Sequence, residues 1–258
     1  MNPVIWAILL STVVFSGTLG CLELGYRWGH RSIAKESELA HEGIGAIEAA
    51  VFALLGLLLG FSFAGATSRL DARRQLIVEE ANAIGTAYLR LDLLPSANQP
   101  EIRQLFRRYL DARLTAYNQL PDAGAAAQEL ARAAQVQQDI WSRTITVTRE
   151  DPSKESARLL LPAINEMIDV TTARTIALQT HLPGLIVGML VCVALLSGLL
   201  AGYAMAKRKS RSWLHMSLYA AVLAVTIYAV LDLDHPRFGL IRLDAADRAL
   251  VQLRDSIK

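Results

Sequence analysis

Apolar residues are concentrated in four long runs along the chain, and the stretches between these runs are polar or mixed. The runs cover residues 3–25, 43–66, 182–206 and 213–233. Each is close to the roughly 20 residues with which an α-helix crosses about 30 Å of hydrocarbon. The pattern therefore predicts transmembrane helices paired in two hairpins. The first run is expected to be retained as a span, because residues 1–3 lack the positive charge that opens a signal sequence.

The segment 67–181, between the second and third runs, is rich in Arg, Glu, Asp and Gln. Such a segment cannot face lipid and is expected in water. Its first part, 67–94, contains no Pro and only one Gly, Gly85, so span two is predicted to continue as one helix from about 41 to 94. Turn-forming residues separate three further predicted helices, which cover 101–120, 125–148 and 153–179.

These elements predict an all-α integral membrane protein with four transmembrane helices and an extramembrane helical bundle. The predicted organisation is a transmembrane hairpin in 1–66, an extramembrane domain in 67–181, a second hairpin in 182–233 and a C-terminal tail in 234–258. Composition agrees with a membrane protein, because 53% of the 258 residues are apolar, more than an ordinary soluble domain carries.

Charge, cysteine and motif content exclude several functional classes. A net charge of +2 provides no basic field for nucleic acid. Cys21 and Cys192 lie within or at the end of apolar runs and form neither a disulfide framework nor a metal-ligand pattern. Nucleotide-binding and hydrolase signatures are absent from the sequence. The sequence therefore indicates no enzyme, no catalytic residue, no metal site and no cofactor.

The charges of the short loops predict an orientation in the membrane. The loop between spans three and four contains Lys207, Arg208, Lys209 and Arg211, and basic residues also fill the first loop. By the positive-inside rule both loops lie in the cytoplasm, which places the 67–181 domain in the periplasm of a multi-pass protein of the bacterial inner membrane. Arginines near the opposite membrane ends oppose this orientation, and the charges on the two sides are nearly even in number.

A polar stripe follows the continuation of span two. Its members recur at spacings of three and four residues and so share one helix face: Asp71, Gln75, Glu79, Asn82, Thr86 and Arg90. A neighbouring face is apolar and consists of Ile77, Ala81, Ile84, Tyr88 and Leu91. The stripe is either the wall of an aqueous vestibule or a solvated face opposite a packed one.

Span two itself contains further candidates for an aqueous path. Glu48 lies near the start of the span, where a carboxylate faces protein, water or a partner rather than lipid. It either reaches water at the membrane interface or takes part in an ion path or proton transfer. Phe52, Leu59 and Phe63 are candidates for a hydrophobic constriction, although bulky apolar residues also pack against lipid or neighbouring helices.

Small residues recur four positions apart in two of the spans. The three small-xxx-small patterns are Gly56 and Gly60 in span two, and Gly184 with Gly188 and Gly198 with Gly202 in span three. Such pairs allow the backbones of neighbouring helices to approach closely. They predict helix packing, either within one subunit or between subunits.

Asp232, Asp234 and His235 gather two acids and an imidazole at the end of span four. A metal site would need a second cluster of His, Cys or acid at ligand spacing, and the sequence shows none. Capping and interface contacts are therefore expected of these residues. His181 and His215 are isolated along the chain and fit membrane-interface positions.

Several segments resemble the bestrophin-like family of bacterial membrane proteins. The resemblance lies in GFSF at 60–63, SRLDARR at 68–74 and VEEANAIGTAYLR at 78–90. The segment LDLDHPRFGLIR at 231–242 is similar to the C-terminal Asp-His/Arg-Pro-x-x-Gly element of that family. The layout of four spans with a long helical insert extends the resemblance over essentially the whole chain.

The resemblance implies a function and an assembly. Bestrophins are pentameric anion channels in which the second span lines the pore and the central helical region lies in the cytoplasm. The chain has no clear counterpart of their acidic calcium clasp, so calcium gating is not implied. We therefore expect a homo-oligomeric ion channel in the lipid bilayer, with span two and its extension nearest the axis. The alternative is a non-conducting sensor or scaffold whose helical domain binds a partner or ligand.

Overall fold

The computed structural model describes residues 3–32, 42–119, 122–150, 154–206 and 212–257. Within these ranges the chain forms eight α-helices and one 3₁₀ turn, with no strand. The helices are α1 (Pro3–Ser32), α2 (Glu42–Leu89), α3 (Gln99–Asn118), α4 (Ala123–Arg149), α5 (Glu155–Gln179), α6 (Gly184–Met205), α7 (Trp213–Asp234) and α8 (Asp244–Ser256), and the 3₁₀ turn is Arg90–Leu93. The predicted all-α fold class is confirmed.

Among the described residues, four helical stretches are long and apolar enough to cross a membrane: Pro3–Arg31, Gly45–Leu93, Glu155–Met205 and Trp213–Asp234. The α2 helix has 48 residues, because strong helix formers fill the segment after the apolar run and neither Pro nor a second Gly interrupts it. The loops 33–41 and 207–211, on which the predicted orientation depends, lie outside the described residues.

The chain forms two compact units. The first unit comprises Met1–Arg69 and His181–Leu240, and the second comprises Leu70–Thr180 and Ile241–Lys258. In the first unit, an apolar core joins residues of α1, α2, α6 and α7. Its buried members are Ala7, Val14, Leu55, Val187, Ala194, Leu223, Ile227 and Leu231.

Within the first unit, α1 and α6 pack backbone to backbone through glycines. A Cβ atom on Gly25 would lie 2.0 Å from the carbonyl oxygen of Leu199, and one on Gly202 would lie 2.0 Å from that of Leu22. Gly198 is also close, with the Thr18 side chain 3.1 Å from the position of its missing Cβ. The pattern at 198 and 202 therefore packs within the subunit.

The other predicted glycine pairs lie on open faces of the described chain. A Cβ on Gly56 or Gly60 of α2, or on Gly184 or Gly188 of α6, would meet no described atom within 4 Å. Neither pair packs against another described helix of the same chain, so contact between subunits stays a prediction for them.

The second unit is a helical bundle with buried apolar residues on its helices. Ile102, Phe106, Tyr109 and Leu110 of α3 are fully buried. The α4 helix begins at a polar cap, because an oxygen of Asp122 accepts hydrogen bonds from the Gly124 and Ala125 amides at 3.0 Å. The packed helices give the α2 segment of this unit one buried side and one open side.

Candidate functional sites on α2 and at the end of α7

The predicted polar stripe lies on the open side of α2 in the second unit. Asp71, Gln75, Asn82 and Thr86 are exposed, and Glu79 is half-buried. The Gln75 amide donates a hydrogen bond of 2.8 Å to the Glu79 carboxylate, and Arg74 lies 3.3 Å from Asp71. These contacts leave the stripe open to water in a single chain.

The neighbouring apolar face of α2 is buried, as predicted. The structure buries all five of its members: Ile77, Ala81, Ile84, Tyr88 and Leu91. An aromatic contact extends this packing, because the Tyr88 and Phe106 rings meet edge to face with centroids 5.9 Å apart. Helical periodicity thus places a buried face and a solvent-exposed face on the same helix.

A groove runs along the stripe between α2 and α5 of the second unit. Its volume is about 470 Å³, and its lining includes Glu79, Asn82 and Thr86 from α2 and Glu166 from α5. Arg90 lies on the same lining and donates a hydrogen bond of 2.7 Å to the carbonyl oxygen of Leu159. The groove therefore brings two carboxylates and one guanidinium to a water-accessible surface.

A buried ionic cluster lies on the packed side of the same helix, and sequence reasoning missed it. The Glu80 side chain is 0% exposed and forms ion pairs with Arg113, at 2.7 Å, and with Arg174. Arg174 also lies 3.3 Å from Asp247 of α8, and its guanidinium stacks on the Tyr117 ring at 4.1 Å from the centroid. Burial lowers the pKa of Arg113, but charge interactions with Tyr117 and Glu80 outweigh it and raise that pKa above its usual value.

Arg73 is a further buried arginine of this unit, besides Arg113 and Arg174, and has a capping role. Its guanidinium donates hydrogen bonds to the carbonyl oxygens of Ala177, at 3.0 Å, and Thr180, at 2.7 Å. These carbonyls lie at the C-terminal end of α5, where a helix leaves its last carbonyls without partners in the helix and where a positive charge is favourable. Arg73 therefore stabilises α5 and is unavailable to the stripe.

The candidates in the apolar part of α2 occupy different environments. Glu48 is half-buried. The half-buried Phe52 ring meets Tyr219 edge to face at 6.3 Å, and Leu59 packs against the core of the first unit. Phe63 is 47% exposed. One chain therefore does not bring these side chains together, and a constriction formed by several copies stays a prediction.

The end of α7 forms a polar node within the first unit. The buried Asp234 carboxylate accepts hydrogen bonds from the Arg69 guanidinium at 2.9 Å and from the Leu182 amide at 2.8 Å. The His181 and His235 rings stack beside it, with centroids 4.3 Å apart and planes 11° apart. His181 is isolated along the chain, but the connection between α5 and α6 places it against the end of α7.

The Pro-x-x-Gly turn that follows α7 closes on Asp232. Both carboxylate oxygens of Asp232 lie 3.1 Å from the Leu240 amide, which donates to them. A Cβ on Gly239 would lie 1.5 Å from one of these oxygens, so the close approach requires glycine. This confirms a capping role for Asp232, as expected from the sequence.

Substituting Gly239→Ala is expected to destabilise the turn by about 1–3 kcal/mol, because the buried Asp232 carboxylate must move away from the Leu240 amide. Thermal unfolding of the purified protein in detergent measures this loss. Gly45→Ala is the matched control, since its Cβ would meet no described atom within 4 Å. An equal melting temperature for the two variants would contradict the assignment.

Comparison with known proteins gives a family match and a structural match. The family model described as a Bestrophin-like domain matches residues 12–246. The crystal structure of a bacterial bestrophin homolog from Klebsiella pneumoniae, which carries a mutation, is similar with a TM-score of 0.63 and 14% sequence identity. That match covers 98% of this chain and 98% of the other. No curated protein matches the chain. At this identity the structural match shows a shared fold.

Proposed function

Since this chain belongs to the bestrophin-like family, we propose that it assembles with copies of itself into an ion channel of the bacterial inner membrane. The α2 helix lines the conduction path in this proposal. The region 67–181 forms the water-facing part of the path, and the lipid bilayer surrounds the apolar helices.

The exposed polar stripe on α2 is the observation that carries the proposal. Asp71, Gln75, Asn82 and Thr86 remain exposed in a single chain, although the adjacent face of the same helix is fully packed. A symmetric ring of subunits would place one copy of this stripe per subunit around a shared axis. Rings of polar and charged side chains are the common wall of an aqueous ion path.

The apolar part of α2 supports the same assignment. Gly56 and Gly60 lie on an open face, where neighbouring copies can approach closely. Phe63 is also exposed in the single chain, and Glu48 is half-buried near the start of the helix. We assign Glu48 and Phe63, together with Phe52 and Leu59 of the same helix, to the membrane part of the path.

The assembly and selectivity follow the family in this proposal. Five subunits and anion conduction are the properties implied by the resemblance to bestrophins. The groove carries charges of both signs, Glu79 and Glu166 against Arg90. Selectivity therefore depends on which of these side chains is nearest the axis.

Substituting Glu79→Gln is expected to change ion conduction without unfolding the protein, because Glu79 is half-buried and lies on the stripe. Removing one carboxylate per subunit from an anion path should raise the anion-to-cation permeability ratio severalfold. Planar bilayer recordings of purified protein in asymmetric chloride measure this ratio as a shift of the reversal potential.

The matched control is Glu129→Gln on α4, which alters a carboxylate that is half-buried like Glu79 and pairs with Arg132 outside the stripe. Mass measurement of the intact detergent-solubilised assembly gives the subunit number in parallel. An equal change of the permeability ratio in both variants would show that the stripe does not line the conduction path. A dimer that stays silent over a range of voltages and salts would favour the alternative, a sensor or scaffold whose helical domain binds a partner.

A further inference from the structure

We infer that His181, Asp234 and His235 form a binding site for a divalent transition metal ion such as Zn²⁺. The three side chains come from the connection before α6 and from the end of α7, within the first unit. This inference goes beyond the proposed channel function and does not depend on it.

The ligand atoms are close enough to share one ion. One such atom from each residue lies within 4.8 Å of the others. The His181 Nδ1 atom is 3.5 Å from the Asp234 Oδ2 atom and 3.3 Å from the Asp234 carbonyl oxygen, so an ion bound at Nδ1 would replace the proton that this nitrogen donates to them. Two ligands bound to zinc at about 2.0–2.1 Å and at a tetrahedral angle are roughly 3.3 Å apart. Binding one ion would therefore bring the ligand atoms closer and turn the stacked imidazole rings out of their parallel arrangement, so that their nitrogen lone pairs point at it.

Two hydrogen bonds fix the orientation of the Asp234 carboxylate. Arg69 donates to its Oδ1 atom and the Leu182 amide donates to its Oδ2 atom. A carboxylate oxygen has two lone pairs, so Oδ2 can accept the amide proton and still ligate an ion. Hydrogen bonds of this kind orient metal-ligating carboxylates in known sites.

The His235 ring is also oriented by the backbone. Its Nδ1 atom lies 3.2 Å from the carbonyl oxygen of Leu231. A carbonyl oxygen only accepts, so Nδ1 donates this hydrogen bond and Nε2 carries the lone pair. Metal-binding histidines commonly donate their other ring nitrogen to a carbonyl in this way.

The site opens to a cavity that admits an ion with its water. The cavity has a volume of about 370 Å³, and its lining includes all three ligands together with Pro3 and Trp6. The His181 side chain is 39% exposed, which provides a path from the surface. Three protein ligands and one or two waters would complete the coordination of an open zinc site.

The ligand types favour one class of ion. Two imidazoles and one carboxylate suit Zn²⁺, Ni²⁺ or Co²⁺, whereas Ca²⁺ and Mg²⁺ prefer oxygen ligands throughout. An ion bound here would connect the start of α6 to the end of α7. The Asp234 contact to Leu182 and the stacking of His181 on His235 already join these two helix ends.

Calorimetric titration of the full-length protein with Zn²⁺ tests the inference, with the protein purified through a tag that contains no histidine. We expect one ion per chain, and at least a tenfold weaker affinity in His181→Ala and in His235→Ala. His215→Ala is the control, because His215 lies at the opposite end of α7 and hydrogen-bonds to Ser212. An unchanged affinity in both ligand variants, or no binding by the natural chain, overturns the site.

A site-resolved measurement on the natural chain keeps the inference testable if a variant fails to fold. Diethyl pyrocarbonate modifies accessible imidazoles, and mass spectrometry reads each histidine separately. Zn²⁺ should protect His181 and His235 and leave the modification of His215 and His30 unchanged. Equal protection of all four, or of none, sinks the proposal.

Discussion

Substituting Glu80→Gln is expected to lower the free energy of unfolding of the second unit by about 3–5 kcal/mol. Breaking a buried ion pair by neutralising one partner leaves the remaining charge without compensation in a poor solvent for ions. Here the substitution would leave the guanidinium groups of Arg113 and Arg174 facing a neutral amide, with both side chains at most 4% exposed. The total free energy of unfolding of a domain is about 5–15 kcal/mol, so this loss is a large fraction of it.

Limited proteolysis within 70–180, followed over increasing denaturant, measures the effect on the unit that contains Glu80. The control is the adjacent substitution Glu79→Gln, which makes the same chemical change on the wet face of the helix. It should leave the proteolysis profile within about 0.5 kcal/mol of the natural chain, as surface substitutions usually do. Similar profiles for the two variants would show that the buried cluster contributes little to stability.

A further variant tests whether the instability comes from the unpaired buried arginines or from the loss of the ionic cluster as such. Replacing Glu80, Arg113 and Arg174 together by Leu, Met and Met removes the central ionic cluster together with both of its guanidinium groups. Apolar groups of similar volume can replace a buried ion cluster at little cost. The triple variant should therefore be more stable than Glu80→Gln alone. Asp247, which is 16% exposed, would then turn to solvent.

The fold class and the helix boundaries could be predicted because they depend on local patterns. Four apolar runs are long enough for spans, and the prediction of helix 101–120 differs by only two residues at each end from α3, Gln99–Asn118. Pro95 and neighbouring turn formers separate α2 from α3 in the sequence. Such signals act over a few residues and need no knowledge of the tertiary fold.

The two faces of α2 could also be separated from the sequence, but the buried cluster was missed. Glu80 was expected in water, although it lies three residues after Ile77 and four before Ile84, both on the buried face, so helical spacing could have indicated its burial. Its partners Arg113 and Arg174 come from α3 and α5. Which distant arginines compensate a buried acid depends on the packing of the bundle, which no local pattern specifies.

The node at the end of α7 shows the same limit. Asp234 and His235 are adjacent in the sequence and were grouped, but His181 is more than fifty residues earlier. Their contact follows from the placement of the α5–α6 connection next to the end of α7, which only the fold determines. The sequence argument against a metal site used spacing along the chain alone and therefore could not include the approach of His181 to Asp234 and His235.

The packing partner of the glycine pair at 198 and 202 could not be predicted from the sequence. The sequence identified close-packing potential at 198 and 202 but not the partner surface. The structure shows that α1 supplies it through Thr18, Cys21 and Leu22. Gly25 and Gly29 of α1 in turn allow close approach to α6 at Leu199 and Tyr203. A small-xxx-small pattern marks a helix that can approach another closely, and chain topology decides which helix that is.

Substituting Gly202→Leu is expected to separate α1 from α6 and to abolish the folded first unit. The Cβ atom would lie 2.0 Å from the Leu22 carbonyl oxygen, and backbone atoms cannot move aside as a flexible side chain can. Overpacking usually costs about 1–3 kcal/mol, and a clash with backbone lies at or above the upper end of this range. The matched control is Gly20→Leu on α1, where a Cβ would meet no described atom within 4 Å. Fluorescence-detected gel filtration after heating should show lost monodisperse protein for Gly202→Leu alone, and equal survival of the two variants would refute the close contact of α1 with α6.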